Sequence, residues 1–235
     1  MNEIPMTIGG IPFIWIIFGL TILASWAVSR SLKSKFERFS KIPINSGLTG
    51  RDVVEKMLRD SDIRDVKITC INGQLTDHYN PITKSINLSE AVYYGNNVAA
   101  AAVAAHEAGH AIQHAHAYIW LGMRSSLVPV VSFASRWVQW VILAGIMMLK
   151  TFPSLLLIGI VLFAAITLFS FITLPVEINA SKRALVWLST HEITSSQHQA
   201  KAESALRTAA YTYVIAALSS LAALLYYISI FLNRR

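Results

Sequence analysis

Charge is scarce in this sequence. Only 14% of its 235 residues are Asp, Glu, Lys or Arg, against 54% that are hydrophobic, whereas an ordinary soluble domain carries about a quarter charged residues. A chain with so little polar surface keeps much of itself in lipid. Acids are the rarer sign, 13 against 20 bases, for a formal net charge of +7. The bases form no long block and alternate with no aromatic platform, which argues against nucleic acid as a partner. Cysteine is represented by Cys70 alone, so no internal disulfide can form and a metal site must draw on His and carboxylates. Neither an internal repeat nor a low-complexity linker interrupts the chain.

Long apolar runs are what it has. Four stretches, about 9–29, 132–149, 154–174 and 209–231, approach the roughly 20 residues a helix needs to cross a bilayer. The first follows Glu3 rather than Lys or Arg and shows no small-residue cleavage site, so it reads as a retained anchor and not a signal peptide. Arg30, Lys33, Lys35, Arg38 and Lys41 come directly after it; this basic cluster places that end in the cytoplasm and the N-terminus outside. The next two runs then form a hairpin that turns outside at Lys150-Thr151-Phe152-Pro153. The segment with Lys182, Arg183, Lys201 and Arg207 returns to the cytoplasm, and Arg234 and Arg235 end outside, against the bias.

The expected organisation follows from these spans. Residues 1–42 are an anchor with a basic juxtamembrane segment and 43–126 a cytoplasmic folded segment. Residues 127–174 are a transmembrane hairpin, 175–208 a second cytoplasmic segment, and 209–235 a last transmembrane helix. Within 43–126, Thr49 can cap a helix with Asp52 three places on, and Val53, Val54, Met57 and Leu58 give it one apolar face. Val66 to Ile71 alternates like a strand and runs into Asn72-Gly73, a two-residue hairpin signal, with Gln74 to Tyr79 as the return strand. Ser85 to Leu88 reads as a third strand, and Ser89 as a cap. From Asn97 an alanine-rich helix runs from Val98 to about Ala117, broken by no proline. Its one glycine, Gly109, costs roughly 1 kcal/mol against alanine and suggests close packing.

That helix carries His106-Glu107-Ala108-Gly109-His110. Residues four apart lie about 40° apart around a helix, one turn along it, so His106 and His110 project from one face and can share a tetrahedral metal. Glu107 sits beside them, able to reach water at the metal without joining the coordination shell, as a general base must. Two imidazoles and an open position favour zinc.

A catalytic zinc takes a third protein ligand. His116 has the spacing of the metzincin pattern, but Gln113 stands where that pattern turns at glycine, so the helix should continue and carry His116 away. His114 lies a further helical turn along, too far to join two placed ligands; it reads as an outer partner of the site or a polar tip at the membrane surface. Glu192 stands among Ser and Thr, as in a solvated loop. Glu177, in Leu174-Pro175-Val176-Glu177, follows the third span on the side of His106 and is the preferred ligand.

These residues resemble the YugP-like family of bacterial membrane zinc metallopeptidases. The similarity is carried by Gly47-Leu48-Thr49-Gly50, Leu75-Thr76-Asp77-His78-Tyr79, Leu88-Ser89-Glu90, the stretch Ala104 to His114 and Leu174-Pro175-Val176-Glu177. It implies a zinc endopeptidase of the bacterial inner membrane with a zincin-like core, and it supports Glu177 as ligand. A more distant similarity is to HtpX-like membrane proteases, whose ligand glutamate is followed four places on by an aspartate. Here that place holds Ser181, leaving Ser181 or Asn179 to make the corresponding hydrogen bond. In zincin-like enzymes an exposed strand edge binds extended substrate, and the third strand, Lys84 to Leu88, is the expected edge. Asp77 and His78 are candidates for donating to the oxyanion or orienting a ligand histidine, and Arg183 for stabilising the oxyanion. His191 and His198 read as solvated loop residues.

The expectation is therefore an α+β membrane protein, mostly helical, with about four transmembrane helices and a zincin-like core containing a small sheet. It is multi-pass, with a zinc site facing the cytoplasm. Its partners are a peptide or protein substrate and the lipid bilayer. The rival class is a membrane interaction or chaperone-like protein whose metal is structural.

Overall fold

Thr49 opens the first helix of the folded segment as its sequence requires: its side chain accepts from the Asp52 N–H, and the Asp52 carboxylate accepts from the Thr49 N–H at 2.9 Å. In the computed structural model, which describes residues 7–8 and 11–233 with side chains from Trp15 onward, this helix is α2. Glu3, Arg234 and Arg235, which enter the expected orientation, lie outside the described residues. In chain order the elements are β1 (Thr7–Ile8), β2 (Ile11–Pro12), α1 (Phe13–Phe39), α2 (Gly50–Asp60), β3 (Lys67–Ile71), β4 (His78–Asn80) and β5 (Ser85–Ser89). They continue with α3 (Glu90–Tyr93), α4 (Val98–Ala115), α5 (Ile119–Met147), α6 (Pro153–Thr190) and α7 (Ser196–Leu232). The protein is mostly helical, with a two-stranded pair β1–β2 and a three-stranded sheet.

The chain divides into two units. One comprises Ser29–Gly122 and Leu174–Tyr211. Its core joins Val53, Val54, Met57 and Leu58 of α2 to Ile86 and Leu88 of β5, the alanines of α4, and Ala184 and Leu188 of α6. Each fully buried large side chain contributes roughly 1.5–3 kcal/mol. Helix α4 is buried nearly all round, a position that alanine suits because it combines the best helix propensity with a side chain that lets neighbours come close. Asn97 caps it, accepting from the Ala100 N–H at 2.9 Å.

The three-stranded sheet corrects the expected hairpin. Its order is β3-β5-β4, with β3 parallel and β4 antiparallel to β5, so the strands flanking Asn72-Gly73 are not neighbours. Burial decides the order. Ile86 and Leu88 of β5 are fully buried while β3 is mostly exposed, and the strand with the most apolar surface to cover takes the centre. Gly73 still turns with positive φ, but Leu75 does too, which makes a longer connection than a two-residue turn. With both its sides paired, β5 offers no free edge; the edge strand packed against α4 is β4.

His191 corrects a second expectation. Its ring stacks on Trp187 at 4.8 Å, and its Nε2 lies 3.1 Å from Asp60 Oδ2, which also accepts from Trp187 Nε1 at 3.0 Å. His198 lies within the first turns of α7 rather than in a loop.

The other unit comprises Met1–Val28, Met123–Thr173 and Thr212–Arg235. Here Val138 and Ile142 of α5 pack on Leu156 and Ile160 of α6. Gly145 makes this possible, because a Cβ there would come 2.6 Å from Leu156 Cα; small residues at such crossings are what helix association in lipid relies on. Trp140, Leu143 and Val161 face outward, more than half exposed, an arrangement that lipid favours and water does not. Four helices among the described residues are long and apolar enough to cross a membrane: Trp15–Phe39, Ile119–Met147, Pro153–Thr190 and Ser196–Leu232. Helices α5 and α7 begin well before the apolar runs at 132 and 209, because helix formation continues through polar residues that hydropathy excludes.

Candidate metal centre

Helix α4 presents His106 and His110 one turn apart, their rings 4.7 Å between centroids. Glu177, on the part of α6 that folds with α4, sets its Oε2 at 3.2 Å from His106 Nε2 and 3.6 Å from His110 Nε2. All three potential ligand atoms lie within 4.8 Å of one another, and no other such group of His, Cys, Asp or Glu occurs among the described residues. The approach of the two helices is set at Gly109, where a Cβ would meet Ala180 O at 2.8 Å and Ala180 Cα at 3.2 Å.

Behind the site the polar atoms are partnered. Nδ1 of His106 lies 3.1 Å from Ser181 Oγ. Nδ1 of His110 lies 3.0 Å from Gln113 Oε1, and Gln113 Nε2 donates to Val176 O at 2.8 Å and to Asn179 Oδ1 at 3.0 Å. Asn179 Oδ1 also accepts from Arg183 Nε at 2.8 Å. Each imidazole thus has a partner at Nδ1 and turns Nε2 toward the Glu177 carboxylate.

Glu107 is buried, 7% exposed. Burial pushes its carboxyl up to about 7; His106 opposes the rise, the carboxylates of Glu177 and Asp77 add to it, and a hydrogen bond from the Tyr79 backbone N–H opposes it.

The remaining sequence candidates lie as follows. Asp77 accepts from the Ser89 N–H at 2.7 Å and the Ser89 hydroxyl at 3.0 Å, tying the start of β4 to the end of β5. His78 faces Thr76 O at 2.8 Å and Asn87 Nδ2 at 3.2 Å. His114 meets the Tyr79 hydroxyl at 2.7 Å. His116 lies at the C-cap of α4, and Glu192 is exposed in a turn with φ 53°; neither joins the cluster. Gln113 is the residue sequence reasoning missed. It stood out only as the position lacking a glycine, and its partners on α6 are too far along the chain for any local pattern to mark it.

His106, partly exposed, and the buried His110 and Glu177 form a donor set able to hold a metal ion, and the chain belongs to the family described as "Putative neutral zinc metallopeptidase", whose model matches residues 14–232. Zinc is the cofactor of that family, and the chain is a membrane protein. It is also similar to the "Putative membrane protease YugP" of Bacillus subtilis (strain 168), 41% identical over 223 residues that cover 95% of this chain and 98% of the relative. No solved structure matches it. The donor set fits zinc. Bonds of about 2.1 Å define a tetrahedron with edges of about 3.4 Å, and the separations of 3.2 and 3.6 Å from Glu177 to the histidines bracket that length.

Proposed function

We propose that this chain is a zinc-dependent endopeptidase in which His106, His110 and Glu177 hold the metal and Glu107 is the general base. The observation that carries the reading is the convergence of three ligand atoms within 4.8 Å beside a buried glutamate. Bound zinc supplies Lewis acidity, polarising a peptide carbonyl and lowering the pKa of water to about 7. The Glu107 carboxylate takes the proton from the attacking water and delivers it to the leaving amine nitrogen. Ser181 orients His106. The free edge of β4, whose Tyr79 N–H faces Glu107, is where an extended substrate would pair by its backbone. In this reading the sheet, α4 and the Glu177 turn of α6 form a zincin-like core. The basic cluster Arg30, Lys33, Lys35, Arg38 and Lys41 supports a cytoplasmic orientation of this core at a bacterial inner membrane.

Glu107→Gln tests the function. The variant keeps its zinc while kcat on an unfolded protein substrate falls by about 10²–10⁴. If wild type and variant both bind zinc and neither cleaves, the metal is structural and the protease reading fails.

A further inference from the structure

The hydrogen-bond donors behind the metal centre determine one another in sequence. Arg183 Nε can only donate, so the Asn179 atom it meets at 2.8 Å is an acceptor oxygen. That oxygen and the Val176 carbonyl both lie against the same end of the Gln113 amide, at 3.0 and 2.8 Å, so this end is the NH2 group. The other end, Oε1, is then an acceptor only, and the His110 Nδ1 facing it at 3.0 Å must carry the proton. The Nε2 lone pair of His110 is left free, on the side of Glu177. Gln113 is fully buried, so no water competes for these bonds.

We propose that Gln113 is a positioning residue that joins the two halves of the metal centre. Its oxygen fixes the tautomer of His110 on α4, and its amide group holds Val176 and Asn179, the residues on either side of the turn that presents Glu177. One side chain thereby orients two of the three ligands. A carboxylate in its place would serve His110 but repel the Val176 and Asn179 oxygens; an amide serves both. This inference rests on the ligand assignment made above.

The test is zinc affinity of the full-length protein in detergent, measured by chelator competition, with helix content followed by circular dichroism. Gln113→Met keeps the length and removes both functions; it binds zinc about 10–100-fold more weakly, the usual effect of losing a partner that orients a ligand. Gln113→Glu restores an acceptor for His110 but repels the Val176 and Asn179 oxygens, so it recovers only part of the affinity lost in Gln113→Met. Wild-type affinity in Gln113→Met overturns the proposal. So does a Gln113→Glu variant as weak as Gln113→Met, which would make the effect one of packing. Where Gln113→Met does not fold, Asn179→Ala decides: a several-fold loss supports the proposal and wild-type affinity overturns it. Wild type that binds no zinc would overturn the ligand assignment, whereas zinc binding that is indifferent to Gln113 overturns this inference alone.

Discussion

Gly109 lies directly against Ala180: a Cβ on the glycine would sit 2.8 Å from the Ala180 carbonyl oxygen. The contact is with backbone, which cannot swing aside as a long side chain can. Gly109→Ala therefore sets two effects against each other. Alanine returns about 1 kcal/mol of helix propensity, and overpacking costs about 1–3 kcal/mol. The expected net change is a destabilisation of up to about 2 kcal/mol, visible as a lower Tm, together with weaker zinc binding because Ala180 lies one turn from Glu177. A higher Tm in this variant would show that the helices have room to separate.

The capping box of α2 makes a prediction about acid. Thr49 donates to the Asp52 carboxylate from its hydroxyl at 2.6 Å and its N–H at 2.9 Å. These bonds, side chain first, hold the Asp52 carboxyl below its ordinary value of 3.8, with Arg51 helping and burial opposing. A carboxyl depressed by folding stabilises the folded form above its unfolded pKa and loses that contribution as pH falls through the folded one. Amide hydrogen exchange in the first turn of α2 should accelerate as the pH drops below 3.8, and Thr49→Ala should weaken the cap by about 0.5–2 kcal/mol at neutral pH. Acid-insensitive exchange, once corrected for intrinsic rates, would show that the box contributes nothing.

What the sequence makes legible is what local spacing decides. Thr49 and Asp52 stand three apart and cap α2; alanine composition marks α4; His106, Glu107 and His110 need only helical periodicity to share a side. Glu177, expected near the histidines from the charge pattern of the chain, does lie beside them within the unit it shares with α4. The strand order does not. Asn72-Gly73 is a sound turn signal, but whether β3 and β4 pair is decided by the burial of Ile86 and Leu88 on the strand that comes between them. The same holds for His191, whose neighbours Ser189, Thr190 and Thr194 suggest solvent while its partner, Asp60, lies on another helix. Gln113 is the sharpest case. Its partners Val176 and Asn179 are 63 and 66 positions away, and no local pattern announces them.

Glu177 carries the last prediction, because its role separates a three-ligand catalytic centre from a two-histidine site. Two imidazoles on one helical turn can hold zinc, but weakly, and they leave the metal no anionic ligand. In the proposed site the Glu177 carboxylate would supply that charge from α6, with only 4% of its side chain exposed. Glu177→Gln preserves the shape and can still hydrogen-bond, so it isolates the charge and the stronger donor; Glu177→Ala removes the group. Both should lose zinc affinity by more than the roughly 10–100-fold that a missing orienting contact costs, with Glu177→Ala the weaker binder. Far-UV circular dichroism should stay unchanged, since the carboxylate faces the cluster and not the apolar core. Undiminished zinc affinity in Glu177→Ala would remove it from the coordination shell. The two-histidine site would then need its third ligand from the substrate, an arrangement that titrating zinc in the presence and absence of peptide would reveal.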